Sequence, residues 1–590
     1  MHRSPLTAAT RSARTRRLRL LAVAIALPAL AATGLVQTAT AAPPPAGAAD
    51  EAVVQYQVRP TAGTTATDLA NALIADGYDV YGGGAGALYV HAPASAATAL
   101  GARADLTVEA QTTVVADLDQ IAPANQDAIL PARLDGRGYE TYYGGYRTHD
   151  AFQQFTSDLK DAYPELVRLV DYGDSWTGAN SLRAVCVTAG ALDGCELTPN
   201  GDKARFLLMG QIHAREVSTG ELTWRMLTHL TDRYGSDSGV TQLLDDTEIW
   251  IVPQTNPDGV ELHETGITEE GTGGTSDAWQ RKNLNDDLGV CTGGPSSQYG
   301  VDLNRNFDSS WGGAGTSPIP CNLTYKGTSA ASEPETFKLQ DLIKDLFEDQ
   351  RGSGVTDPAP ADTRGGMISL HSFSNLVLFP YGDVRHTPND AGLRSMGFRM
   401  SDYNGYETGE ADEILYQVTG STDDYAYDKL GIAAFTYEIG PGSGTCAGFF
   451  PAYSCQDGFW NLNRDAILYG MAAIQRPYTM SLGPTTSDAT ARNKGVRKAV
   501  VKAFADDDAY GTFGVGRPAS QNVTAGRVFL DAAPWDGGTA KPMTLVGTGK
   551  QVDLKVTVKR GGQQKYAYIQ ARDAQGNWGP VETVWIAARA

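Results

Sequence analysis

Phe206-Leu207-Leu208-Met209-Gly210-Gln211-Ile212-His213-Ala214-Arg215-Glu216 is an apolar run that ends in an imidazole and a carboxylate three positions apart. An apolar stretch without polar alternation is what a strand covered on both faces requires, and such strands belong to sheets sandwiched between helices. Three further stretches have similar character: Ile249-Trp250-Ile251-Val252, Met367-Ile368-Ser369-Leu370 and Ala434-Phe435-Thr436-Tyr437. Each runs into polar or ionisable residues at or just past its end, where open α/β sheets carry their sites. Phe152, Phe155 and Leu159 keep helical spacing at the start of this region. Residues 139–478 are therefore expected to form an α/β domain with a mixed central sheet flanked by helices.

Working outward, residues 51–118 read as a smaller α+β unit. Val54, Tyr56 and Val58 alternate as in a strand, Leu69, Leu73 and Ile74 keep helical spacing, and Leu88-Tyr89-Val90 and Val108 to Val115 supply further strands. The unit has no cysteine and no cluster of catalytic residue types, which suits a pro-segment (42–130) that assists folding or covers a neighbouring active site; an accessory domain is the plainer alternative. Arg133 and Arg137, in the polar connection that follows, are candidate processing points. On the other side, a Gly/Ser/Thr/Pro-rich link from Ser481 leads to residues 485–590, where Val552, Leu554, Val556 and Val558 alternate and Trp585-Ile586 lies close to the end. A small β-sandwich is expected there, serving as a spacer, as a binder of polymer surfaces, or as a stabilising appendage.

The first residues differ from everything after them. Arg3, Arg11, Arg14, Arg16, Arg17 and Arg19 precede an apolar run from Leu20 to Leu30, and Ala39-Thr40-Ala41 supplies small residues for cleavage. This is the pattern of a signal peptide, 1–41, with an apolar run too short for a membrane anchor. Thr15-Arg16-Arg17 leaves a twin-arginine route open beside the ordinary one. A secreted, extracellular protein without a membrane anchor is expected, and a monomer. The chain carries a formal charge of −20, and loss of the leader arginines makes it more acidic still. That charge repels polyanions, which argues against nucleic acid as a partner and mildly favours cationic peptides. Six cysteines fall as near neighbours, and 186–195, 291–321 and 446–455 is the simplest of the fifteen pairings in an oxidising compartment.

His213 and Glu216 emerge together near a strand end, so both can reach one ion. Zinc accepts nitrogen and oxygen donors, and catalytic sites combine three protein ligands with an open fourth position. H-x-x-E alone is a weak signal in a chain with eight histidines. His371, which ends the stretch Met367 to Leu370, is the best candidate for the third donor; a capped strand-end histidine is the alternative.

At this point the constellation resembles the zinc carboxypeptidase family, which includes the digestive carboxypeptidases A and B. The resemblance spans residues 139–478 and rests on several motifs in order: His213 and Glu216 in I-H-A-R-E, Asn256-Pro257-Asp258-Gly259, Arg281-Lys282-Asn283, Asn304-Arg305-Asn306-Phe307, His371-Ser372-Phe373-Ser374, and Tyr416 and Glu438, 22 positions apart. It implies a zinc carboxypeptidase fold with one catalytic Zn2+ on His213, Glu216 and His371. It further implies that Glu438 is the catalytic acid/base and Arg281 the oxyanion-stabilising cation. Asn304 and Arg305 would clamp a substrate's terminal carboxylate, with Tyr416 as the mobile tyrosine and Arg215 touching upstream substrate residues. One extra residue, Gln280, separates Trp279 from Arg281, so the choice of Arg281 assumes a one-residue shift. Counting on from Tyr416 places Asp423, with Asp424 beside it, at the base of the side-chain pocket. A basic or mixed basic and apolar preference follows, with peptide or protein C-termini as partners. The acidic loops leave room for Ca2+ without specifying ligands for it. A cell-wall peptide endopeptidase or amidase on the same scaffold would lack the carboxylate clamp, and a catalytically inactive peptide-binding relative would lack Glu438 or a ligand.

Overall fold

The computed structural model describes residues 53–82, 86–114, 130–199, 201–270, 277–289, 291 and 297–589. The expected signal peptide lies outside the described residues. Among them, no helix is long and apolar enough to cross a membrane.

The N-terminal unit is an antiparallel sheet of β1 (Val53–Pro60), β2 (Asp79–Gly82), β3 (Leu88–Pro93) and β4 (Leu106–Thr113), in the order β2-β3-β1-β4. Helix α1 (Ala66–Ala75) packs on it, opened by Thr65, whose side chain accepts from Asp68 N while the Asp68 carboxylate reaches back to the cap. Leu69, Leu73 and Ile74 face Tyr56, Val58 and Val90, as their spacing requires. That core does not close on itself. It continues into Leu376, Leu378, Leu415, Tyr416 and Val418 of the central domain.

The central sheet has eight strands: β5 (Val167–Asp174), β6 (Ser181–Val187), β7 (Ala204–Met209), β8 (Thr247–Val252), β9 (Gly366–His371), β10 (Leu376–Phe379), β11 (Glu407–Glu410) and β12 (Ala433–Glu438). Their order is β11-β10-β12-β9-β7-β8-β6-β5. The middle strands β12, β9, β7 and β8 run parallel, while antiparallel pairs link them to β10 and β6. The four apolar stretches are these middle strands. Their alternate residues feed two cores. Phe206, Leu208, Ile251, Ile368 and Phe435 pack against α2 (His149–Ala162), α3 (Val217–Arg233), α6 (Asp390–Asn404) and α8 (Cys455–Ala473). Leu207, Met209, Trp250, Met367 and Ala434 pack against α5 (Pro334–Leu346) and α7 (Thr422–Leu430) on the other face. Helix α4 (Pro257–Glu270) follows β8. Covering each large side chain contributes roughly 1.5–3 kcal/mol.

The C-terminal unit has seven strands: β13 (Thr485–Lys494), β14 (Lys498–Asp506), β15 (Val523–Leu530), β16 (Lys541–Val546), β17 (Gln551–Lys559), β18 (Lys565–Asp573) and β19 (Glu582–Ile586). The expected strands are present, but their packing is not two facing sheets. They form one antiparallel sheet, β13-β14-β17-β16-β15-β18-β19, whose first and last strands come back together. Alternation specifies one covered face per strand, which a sandwich and a curled sheet satisfy equally. The small interior side chains Ala499, Ala503, Ala505, Ala567 and Ala571 let this sheet curl tightly around a single core. The unit docks on the central domain through buried Arg399 of α6, which pairs with Asp507 at 3.2 Å and donates to Tyr510 Oη at 3.0 Å and Ser481 O at 3.3 Å. Nearby, Thr408 N donates to Phe513 O and Val515 N to Thr408 O, which covers the exposed edge of β11.

All three disulfides are those expected: Cys186–Cys195, Cys291–Cys321 and Cys446–Cys455. Arg137 pairs with Asp158 at 2.6 Å, and Arg133 donates to Ala162 O at 2.6 Å.

Candidate active site

The parallel strands deliver their last residues to one edge of the sheet. His371 is the final residue of β9, Glu438 the final residue of β12, and the two are register partners. His213 follows β7, and Glu216 is the N-cap of α3. His213, Glu216 and His371 are all buried, with ligand atoms within 4.8 Å of one another. His213 Nδ1 lies 2.8 Å from Glu216 Oε1, His371 Nδ1 lies 3.2 Å from Glu216 Oε2, and the two Nδ1 atoms are 3.2 Å apart. The far nitrogens are engaged separately: His213 Nε2 with Asp302 Oδ1 at 3.1 Å, and His371 Nε2 with Ser369 Oγ at 3.0 Å. Protons held there leave both Nδ1 lone pairs pointing at the carboxylate and at each other.

Such convergence fits a divalent cation. Donors about 2.0–2.1 Å from a tetrahedral ion stand about 3.3 Å from one another, which matches the spacing found. Burial pushes the Glu216 carboxyl up, but His213 and His371 outweigh it and hold the group well below the usual carboxylate range. Burial also pushes the His371 imidazole down, toward the neutral form a ligand needs.

Glu438, Arg281, Asn304, Arg305, Tyr416 and Asp423 line one cavity with this triad. Burial, and then the charge of Glu216, push the Glu438 carboxyl well up, with Arg281 and Arg305 partly opposing them. Its Oε2 is shielded from solvent and has no hydrogen-bond partner among the described residues. Arg281 points inward, Nη1 3.7 Å from Glu216, whereas Lys282 turns away to donate to Pro320 O and Asn322 O at 2.7 and 3.0 Å. Of these two cations after Gln280, Arg281 is the one that faces the triad. Asn304 accepts from Thr422 N at 3.0 Å. Buried Arg305 is held by two carbonyls, Gly315 O through Nε and Asn304 O through Nη1, each at 2.9 Å. It makes no ion pair with any described residue. Gly420, at φ +72°, lies against the Arg305 backbone where a Cβ would collide. Asp423 lines the same cavity as Tyr416, Leu378, Val418 and Thr436, while Asp424 turns aside to accept from Gly382 N at 3.0 Å.

A family model described as zinc carboxypeptidase matches residues 152–466. This chain belongs to that family. Carboxypeptidase A2 of Mus musculus is 27% identical over 334 residues, covering 55% of this chain and 70% of that one. A metallocarboxypeptidase A-like protein of Trichophyton verrucosum (strain HKI 0517) is 29% identical over 315 residues, 52% of this chain and 65% of its own. Among solved structures, carboxypeptidase A from Helicoverpa armigera shares the fold with a TM-score of 0.55 at 20% identity, over 73% of this chain and 99% of that one. The family domain and the buried triad together make this chain a metallopeptidase-type enzyme.

Two contributors to the site of this zinc carboxypeptidase domain are not legible in the sequence. Asp302 is fully buried and bridges the site: one oxygen meets His213, the other receives Arg281 Nε and Nη2 at 3.1 and 2.9 Å. An acid inside Val301-Asp302-Leu303, flanked by apolar residues and next to Asn304-Arg305, was the available signal. The second contributor comes from the N-terminal unit. Arg215 donates through Nη2 to Asp79 Oδ2 at 2.8 Å and to Tyr81 Oη at 2.5 Å, and Tyr81 lines the metal-site cavity. Nothing local in Asp79-Val80-Tyr81 announces this, because the partner lies more than a hundred residues away.

Proposed function

We propose that this chain is a secreted zinc metallocarboxypeptidase that removes single residues from the C-termini of peptides and proteins and is made as a latent precursor. The observation that carries the exopeptidase reading is Arg305. It is a buried guanidinium that makes no ion pair with a described residue, placed beside Asn304, whose amide lies 3.5 Å from His371. A planar guanidinium without a counter-ion suits a carboxylate, and an internal peptide bond has none to offer.

When bound, zinc supplies Lewis-acid chemistry, polarising a carbonyl and lowering the pKa of water. The chain's own residues do the rest. Glu438, whose Oε2 has no hydrogen-bond partner among the described residues, takes the proton of the attacking water and delivers it to the leaving amine. Arg281, anchored by Asp302, faces the negative charge that develops on the scissile oxygen. Asp423 beside Leu378, Val418 and Thr436 favours basic ends while leaving room for apolar ones.

Latency is supported by the seating of β2. Tyr81 of the N-terminal unit is one of the walls of the cavity over the triad, whose volume is about 40 Å³. Asp79 and Tyr81 use the Arg215 guanidinium that an incoming peptide would otherwise meet. The three disulfides and the Arg-rich, apolar leader support export to an oxidising compartment.

The test is to load the full chain with zinc, cleave it between the N-terminal unit and residue 139, and assay one peptide with a free and with an amidated C-terminus. Release of the last residue from the free peptide alone is expected. Equal cleavage of the amide would remove the carboxypeptidase assignment.

A further inference from the structure

A second cleft, of about 840 Å³, opens where the C-terminal unit meets the central domain. It shares no lining residue with the metal-site cavity. Its central-domain wall includes Ala361-Asp362, which precedes the start of β9, while His371 closes the other end of that strand. A ligand held here would leave the catalytic edge of the sheet free.

The walls combine flat apolar faces with cations. Trp535 and Trp578 present indoles, Gln570 and Asn577 present amides, and Arg476 and Arg527 present guanidinium groups. Arg527 lies on Trp578, 3.7 Å from a ring centroid, and donates through Nε and Nη2 to Gln570 Oε1 at 3.0 and 2.7 Å. Gln570 is itself oriented by donation to Gly579 O at 2.8 Å. Arg572 flanks the same indole at 5.4 Å, and its buried Nε has no hydrogen-bond partner among the described residues. None of the three arginines makes an ion pair with a described residue, and Asp362 on the rim is paired to none of them. Burial, and then repulsion from Arg572 and Arg476, lower the Arg527 guanidinium to about 10.

Three neighbouring arginines that pair with no described acid, in a chain of net charge −20, make the cleft a place for an anion. The shape of the cleft narrows the choice of anion. A small inorganic ion would use the guanidinium groups but neither indole. A sugar ring offers a C–H face to stack on indole and, when it is a uronic acid, a carboxylate for arginine. We propose that this cleft binds a carboxylate-bearing polysaccharide and thereby tethers the enzyme to an anionic glycan matrix. The assignment is independent of the peptidase reading.

The test is affinity electrophoresis of the full chain through gels containing polygalacturonate, dextran sulfate, neutral dextran or polyglutamate. Polygalacturonate should retard the wild type at about 50 mM salt and release it as salt approaches about 0.5 M. Trp578→Ala and Arg476→Gln should each weaken retardation by about tenfold, with hydrolysis of a small peptide by the processed enzyme unchanged. Arg476 is exposed on the cleft wall, so its variant folds even if the indole variant does not. Unaltered retardation of Arg476→Gln, or retention by dextran equal to that by polygalacturonate, would overturn the site. Stronger retention by polyglutamate or by dextran sulfate would overturn the ligand class.

Discussion

His371 and Glu438 are register partners at the ends of adjacent parallel strands. In a parallel pair, neighbouring residues at matched positions project to the same side of the sheet. The His371 donor and the proton carrier proposed here are thus set side by side by strand pairing itself, with no loop between them to adjust. Glu438 is nevertheless not among the three converging donors. Glu438→Gln should lower kcat by about 10²- to 10⁴-fold, the range for loss of a general acid/base. Metal content, read by elemental analysis, should stay at the wild-type ratio. Loss of metal together with activity would instead make Glu438 a ligand.

Asp302 joins His213 to Arg281 through its two oxygens. Asp302→Asn keeps the shape but weakens the acceptor that holds the His213 tautomer and the Arg281 anchor. Outer-shell changes of this kind cost about 10- to 100-fold in metal affinity. Competition with a chelator should read that loss. Unchanged affinity would confine Asp302 to holding Arg281.

The contact between Asp79 and Arg215 is buried, with side-chain exposures of 10% and 0%. Asp79→Ala should loosen the N-terminal unit and raise the activity of the uncleaved, zinc-loaded chain by at least about tenfold, since breaking a buried pair costs on the order of 3–5 kcal/mol. Activity after cleavage should match wild type, because Asp79 then no longer faces the site. A silent uncleaved variant would place latency elsewhere.

What the sequence made legible follows from how local each signal was. The four central strands declared themselves because burial on both faces demands unbroken apolar runs, and the residues just past them inherited the site. His213 and Glu216, three positions apart, were visible together, and His371 and Glu438 were visible as strand ends. Asp302 and Tyr81 were not, because their importance lies in partners brought near by folding. The curled C-terminal sheet was missed for a related reason: alternation marks an inner face but does not say which strands neighbour each other.

Arg399 ties the C-terminal unit to α6, and both it and Asp507 are buried, at 0% and 2% side-chain exposure. Arg399→Ala leaves Asp507 without its cation and should cost about 3–5 kcal/mol. Thermal unfolding of the full chain should show the drop, and Arg399→Met with Asp507→Leu should recover much of it. A loss no larger than about 0.5 kcal/mol would mean that the interface does not depend on this pair.

Glu335 supplies a pH test apart from the metal site. It is 1% exposed and accepts from Trp176 N at 2.8 Å and Asn283 Nδ2 at 3.1 Å, yet burial raises its carboxyl to about 7. With an unfolded value of about 4.3, the folded state holds the proton more tightly between those two limits. Its contribution to stability is therefore complete below the lower value and is lost as pH rises through the upper one. Glu335→Gln retains an acceptor but does not ionise. The variant should gain on the wild type from pH 5 to pH 8, by roughly 3 kcal/mol at most. Urea midpoints at several pH values read the difference, in which groups common to both proteins cancel. A gap that stays constant with pH would mean that Glu335 is ionised in the folded protein throughout, its two donors outweighing the cost of burial.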